Sequence, residues 1–207
     1  MWRGELIAAL LFAGVSGLGC AALPVPHTVN VSIASPDHGK AVWQHLPVEY
    51  CIDESTSGFV THEALVALTR EAFEQWGVAA AYKGNCIGGQ HAANGRNEIA
   101  WGPIPGDDQA LNQVGLTNVR TEACPSCPLA GLKIIEADIT LNPHPPPGWD
   151  TKACLRTTLL HEVGHFLGAG HLEPPALMAA VTTSCPQRLT AADLGAIARL
   201  YATTAQP

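Results

Sequence analysis

Apolar positions change period several times along the chain, and each change marks an element. Residues 46–52 (LPVEYCI) alternate apolar and polar side chains, the period-two pattern of a half-buried strand, which Ser55, Thr56, Ser57 and Gly58 then break. Between residues 61 and 76, Leu65, Leu68, Ala72, Phe73 and Trp76 recur at steps of three and four. That spacing predicts an amphipathic helix with one apolar stripe, stopped at Gly77. Apolar runs at 97–101, 114–119 and 134–141 predict three further strands. Residues 142–148 hold four prolines, which cannot donate to a ladder or continue a helix, so this tract is read as a surface loop. Beyond it, Asp150 or Thr151 can cap a helix running through Leu155, Leu159, Leu160, Val163 and Leu167 to Gly168. A last helix fits 191–201.

The N-terminal pattern differs in kind. A short charged start is followed by the apolar run 6–18 and then by Gly19, Ala21 and Ala22, which reads as a signal peptide over 1–22. The run is too short for a membrane span, and no later stretch approaches the ~20 apolar residues one needs. Residues 23–39, with three prolines and no periodicity, read as a linker, and the domain is expected to cover 40–203. An apolar fraction of 47% suits one globular core. The net charge of −7 and the scattered eleven basic residues leave no basic stripe for nucleic acid. A monomer is expected.

Cysteines stand at 20, 51, 86, 124, 127, 154 and 185, so removing Cys20 with the leader leaves an even six, as expected of an exported, disulfide-bonded domain. Gly19-Cys20 also leaves open a lipid anchor on Cys20, against which Leu18 stands one position too close to the cysteine. The pair Cys124-Pro125-Ser126-Cys127 has redox spacing but falls between strands, not at a helix start, so it is read as a structural disulfide.

The chemistry is concentrated in residues 161–171, His-Glu-Val-Gly-His-Phe-Leu-Gly-Ala-Gly-His. On a helix His161 and His165 project from one face, one turn apart, and can reach one cation. Glu162 can then take a proton from a bound water without being a ligand. Gly168 permits the left-handed turn that would bring His171 back as third ligand, leaving one of four Zn2+ positions open for catalysis.

This segment resembles the long zinc motif of the metzincin clan at every specified position. Met178, seven residues past His171, resembles the methionine turn of the matrixin (matrix-metalloproteinase-like) branch, and 189–201 resembles its C-terminal helix. The resemblance extends over roughly 40–203, through 72–76 and 136–139. It implies an α+β fold: a twisted, mostly parallel sheet with one antiparallel edge strand, two long helices and a small C-terminal subdomain after Gly168. It implies a zinc-dependent endopeptidase with His161, His165 and His171 on the metal, Glu162 as general base, and a protein or peptide substrate extended along an edge strand near 115–118. Asp193 would be a buried partner of the methionine turn, Leu160 and 181–183 walls of the pocket after the scissile bond, and Cys154–Cys185 an attractive bridge among the fifteen pairings of six cysteines. Asp107, Asp108 and Asn112 are candidate Ca2+ oxygens, with a solvated turn as the simpler account.

The departures narrow the branch. Ala180 stands where astacin-like and serralysin-like enzymes place tyrosine, and Leu172 is neither the Asp of adamalysins nor the usual Ser of matrixins. No Pro-Arg-Cys-Gly segment and no second-zinc His-x-Asp pair is present. An inactive zinc-holding binding protein and a zinc hydrolase of non-peptide substrates remain as alternatives.

Overall fold

The computed structural model describes residues 41–55, 57–86, 93–104, 113–125, 127 and 132–202. The leader, the linker, Cys20 and the candidate calcium residues Asp107, Asp108 and Asn112 lie outside them. The chain enters through β1 (Ala41–Val42), both residues of which are buried, and then β2 (Val48–Asp53), which alternates between buried and less buried positions as the sequence pattern requires. Helix α1 (His62–Trp76) follows; the Thr61 hydroxyl accepts from the Ala64 N–H at its start, and Gly77 ends it at φ 69°. The stripe Leu65, Leu68, Ala72, Phe73 and Trp76 is buried, each large side chain contributing roughly 1.5–3 kcal/mol of hydrophobic stabilisation.

Strands β3 (Ala80–Cys86), β4 (Glu98–Trp101), β5 (Gly115–Ala123) and β6 (Leu132–Leu141) complete a sheet of order β1-β6-β4-β2-β3, with β5 added on β6. Every pairing is parallel except β5–β6. Antiparallel pairing follows from the short connection between these two strands, whereas β2 and β3 are parallel because α1 carries the chain back between them.

Helix α2 (Lys152–Phe166) is capped by the Thr151 side chain and packs on α1, β5 and β6. Twelve of its fifteen residues are buried, so it is an interior helix without a solvent stripe. Two tryptophans grip it: Trp76 Nε1 donates to the Leu160 carbonyl at 2.8 Å, and Trp43 Nε1 to the Phe166 carbonyl at 2.9 Å. Leu160 itself lies within the core.

At the end of α2, Gly168 has φ 95° and donates to the His165 carbonyl at 2.8 Å, while Ala169 donates to the Gly164 carbonyl at 2.9 Å. This pair of bonds reverses the chain. A Cβ on Gly168 would run into the Ala41 carbonyl, so glycine is needed for space as well as for its dihedral. No helix or strand follows until α3 (Ala191–Tyr201), whose Tyr201 hydroxyl donates to the Leu167 carbonyl at 3.0 Å.

Three disulfides join Cys51 to Cys86, Cys124 to Cys127 and Cys154 to Cys185. The first ties β2 to β3, the second lies just beyond β5, and the third ties the first turn of α2 to the segment beyond residue 178. Among the described residues no helix is long and apolar enough to cross a membrane.

Candidate metal centre

The helical spacing puts His161 and His165 together, and backbone carbonyls fix how their rings face. His161 Nδ1 lies 2.9 Å from the Leu177 carbonyl and His165 Nδ1 lies 2.8 Å from the Ala169 carbonyl. A carbonyl only accepts, so both Nδ1 atoms carry hydrogen and both Nε2 atoms present lone pairs in the neutral rings. Those two Nε2 atoms face each other at 3.0 Å. Neither can donate to the other, so the contact is repulsive unless a positive charge lies against both. Burial pushes His161 down to about 4, although the bond to Leu177 opposes this, which favours the neutral ring. A cation between the two nitrogens would relieve the repulsion.

His171 closes the group. Its ring centroid lies 5.5 Å from that of His161 and 4.8 Å from that of His165, and the ligating atoms of the three lie within 4.8 Å of one another. Tetrahedral zinc with Zn–N of about 2.0–2.1 Å requires N···N separations of about 3.3 Å, close to the spacing of the two helical nitrogens. The donor set thus fits a divalent ion with a preference for imidazole. His161 and His165 are buried, whereas His171 is exposed, which leaves one side of the group open to solvent.

Glu162 is wholly buried beside them in the chain. Its Oε2 accepts a hydrogen bond of 2.6 Å from the Thr117 hydroxyl on β5, while Oε1 has no hydrogen-bond partner. Burial pushes this carboxyl up to about 8, against the pull of the Thr117 bond; a cation held nearby would act in the same lowering sense. Space for the carboxylate comes from Gly115, where a Cβ would lie only 2.7 Å from Oε1.

Met178 is completely buried against α2 at Gly164. A Cβ on Gly164 would strike its sulfur and the Trp76 ring, so this glycine lets the turn approach α2. Asp193 holds the turn: its Oδ2 accepts from Leu177 N and its Oδ1 from Met178 N, both at 3.0 Å. The same carboxylate accepts from the Thr190 N–H and hydroxyl at 2.7 Å each, closing the capping box of α3. Leu172 N donates to the Met178 carbonyl at 2.9 Å, tying the chain just after His171 to this turn. One loop therefore both orients His161, through Leu177, and anchors the segment carrying His171.

His161, His165 and His171 converge, Glu162 lies against β5, and Met178 packs against α2 at Gly164. His62 is engaged with Asn85 at 2.9 Å, and His144 lies in the proline-rich loop. A second grouping, Cys51, Cys86 and Glu98, is close enough for a metal, but its two cysteines are bonded to each other and offer no thiolate. Thr117 and Gly115 carry no motif, and the sequence places them only on the candidate edge strand 115–118, not against Glu162. The family model described as Matrixin matches residues 42–202, more than half of the chain. No curated protein matches it.

Proposed function

Because the chain belongs to the matrixin family, we propose that it is an exported zinc-dependent endopeptidase in which His161, His165 and His171 hold the metal and Glu162 is the general base. The family accounts for the broad class, zinc chemistry on a peptide. The observation that carries the finer reading is the pair of Nε2 lone pairs facing each other at 3.0 Å, with both Nδ1 atoms committed to carbonyls.

Zinc bound there supplies Lewis acidity to the scissile carbonyl and a fourth, exchangeable coordination position. The remaining work belongs to the chain. Leu177 and Ala169 hold the imidazoles in one tautomer and one orientation. Glu162 offers Oε1, the carboxylate oxygen without a partner, to take the proton of the attacking water and pass it to the leaving nitrogen. Along its length β5 pairs with β6, and among the described residues no strand covers its other edge, so an extended peptide can add there backbone to backbone. The three disulfides support an oxidising compartment.

The decisive comparison is wild type against Glu162→Gln, both loaded with zinc and assayed on an unbiased peptide library with and without chelator. The variant should retain about one zinc and the wild-type thermal unfolding yet lose about 10²–10⁴ in rate, because an amide cannot accept the proton. A wild type that cleaves no peptide makes an inactive binder, or a hydrolase of other substrates, the better account. Equal cleavage by both proteins removes Glu162 from the mechanism.

A further inference from the structure

We propose that Thr117 and Gly115 form a seat on the edge strand that assigns different tasks to the two oxygens of the Glu162 carboxylate. The inference rests on the reading of Glu162 as general base. Thr117 is wholly buried, and its hydroxyl lies 2.6 Å from Glu162 Oε2 and 3.1 Å from the Glu162 carbonyl. A hydroxyl has one hydrogen, and the shorter contact is the one it makes. That bond occupies Oε2 and leaves Oε1 as the oxygen free to accept a proton. Without it the two oxygens would exchange by rotation about the last side-chain torsion, which is broad for a carboxylate.

Gly115 acts on the other oxygen. It lies two residues before Thr117 on β5 and so on the same face of the sheet. A Cβ there would stand 2.7 Å from Glu162 Oε1, 2.8 Å from Glu162 Cγ and 2.8 Å from Thr158 Cγ2. Real carbons do not approach so closely, so an added methyl group must push on the Glu162 side chain and on Thr158. Thr117 therefore holds one oxygen while Gly115 clears the flank of the other. Both are positioning residues that act through Glu162, and both belong to the strand that would receive the peptide, so docking surface and base share one rigid element.

The test uses full-length Thr117→Val, Thr117→Ser and Gly115→Ala, alone and combined with Glu162→Gln, each checked for zinc content and thermal unfolding. Thr117→Val should lower kcat about 10–100-fold with KM changed less than about twofold, the signature of an interaction that matters in the transition state. Thr117→Ser should restore kcat to within a few-fold of wild type. In the Glu162→Gln background Thr117→Val should cost nothing further. Crystal structures of zinc-free wild type and Thr117→Val supply a readout independent of activity: the carboxylate should occupy one position in the first and another, or several, in the second.

A raised KM at unchanged kcat, or a serine variant as impaired as the valine one, would make Thr117 a strand-docking residue and overturn the seat. An inactive Glu162→Gln beside a fully active Thr117→Val overturns the seat alone, whereas a fully active Glu162→Gln overturns the reading of Glu162 on which it rests. Should Thr117→Val fail to fold, Gly115→Ala carries the test: kcat must fall at least about tenfold with zinc retained, and an unaltered kcat defeats the proposal.

Discussion

Upstream of Gly168 the candidate ligands stand on a helix; downstream the third stands on a segment without regular structure until α3 begins at Ala191. His161 and His165 are placed by helical periodicity and buried on every side, so their separation is a local property of α2. His171 is exposed, and its stretch of chain is held from a distance by Leu172 on the Met178 carbonyl, by Asp193 on the methionine turn, and by the Cys154–Cys185 bridge. The comparison teaches that one metal group can be assembled from two kinds of order, one intrinsic to a helix and one borrowed from tertiary contacts. Ligands equal in their importance to the metal should then be unequal in their importance to the fold.

The largest effect that could break this comparison is on metal retention. His161→Ala and His171→Ala should each weaken zinc binding by more than about 100-fold, beyond what loss of an outer-shell partner alone costs. Thermal unfolding of the zinc-free proteins should separate them. His161→Ala strips the buried Leu177 carbonyl of its donor and should cost about 1–3 kcal/mol, while His171→Ala should leave the metal-free melting temperature close to wild type. Equal losses of stability would mean that the segment beyond Gly168 is as integral to the core as α2.

A smaller effect sharpens the account of that segment. Asp193→Asn replaces an acceptor oxygen by an N–H₂ group and leaves some of the donors from Leu177, Met178 and Thr190 facing it unpaired. Urea unfolding of the zinc-free variant should show about 1–3 kcal/mol of destabilisation. No shift in the midpoint would assign the holding of the turn to the disulfide alone.

How far each side could be foreseen from sequence follows the same division. The helix, its cap at Thr151, its stop at Gly168 and both helical histidines depend on spacings of a few residues, and those are visible in a linear chain. Asp193 and Met178 were reached through resemblance, because nothing in their own neighbourhood reveals that they meet. Thr117 and Gly115 meet Glu162 across more than forty residues of sequence only because β5 packs on α2, and a threonine in a strand carries no mark of such a contact. Two strands escaped for lesser reasons. β1 is two residues long, and β3 is an outermost strand of mostly half-buried residues, with Gly84 at φ 96°, so it lacks the alternation that betrays β2.

A further effect lies in the sheet and is read through pH. Burial pushes the Asp138 carboxyl up to about 7; the Glu98 N–H bond at 2.9 Å opposes this, and neighbouring Glu136 and Glu98 reinforce it. Its folded value is thus above its unfolded one, so the native state holds the proton more tightly. The associated stability is fully present below about pH 4 and is lost as pH rises through about 7. Asp138→Asn should remove that part of the slope, and the difference between the two proteins from pH 4 to 8 isolates it from other groups. Parallel curves would show that Asp138 ionises at its ordinary value.

The bridge between Cys154 and Cys185 has a consequence of a topological kind. It closes a covalent ring containing His161, Glu162, His165, His171 and Met178, every group assigned to the metal or the base. The exposed stretch of that ring, around Glu173 and Val181, is where a protease would find accessible backbone. A single cut there cannot release a fragment, because both new ends stay joined through sulfur. Damage there is thereby confined to a nick within one connected piece, and dispersing the candidate ligands requires either a second cut or a reductant.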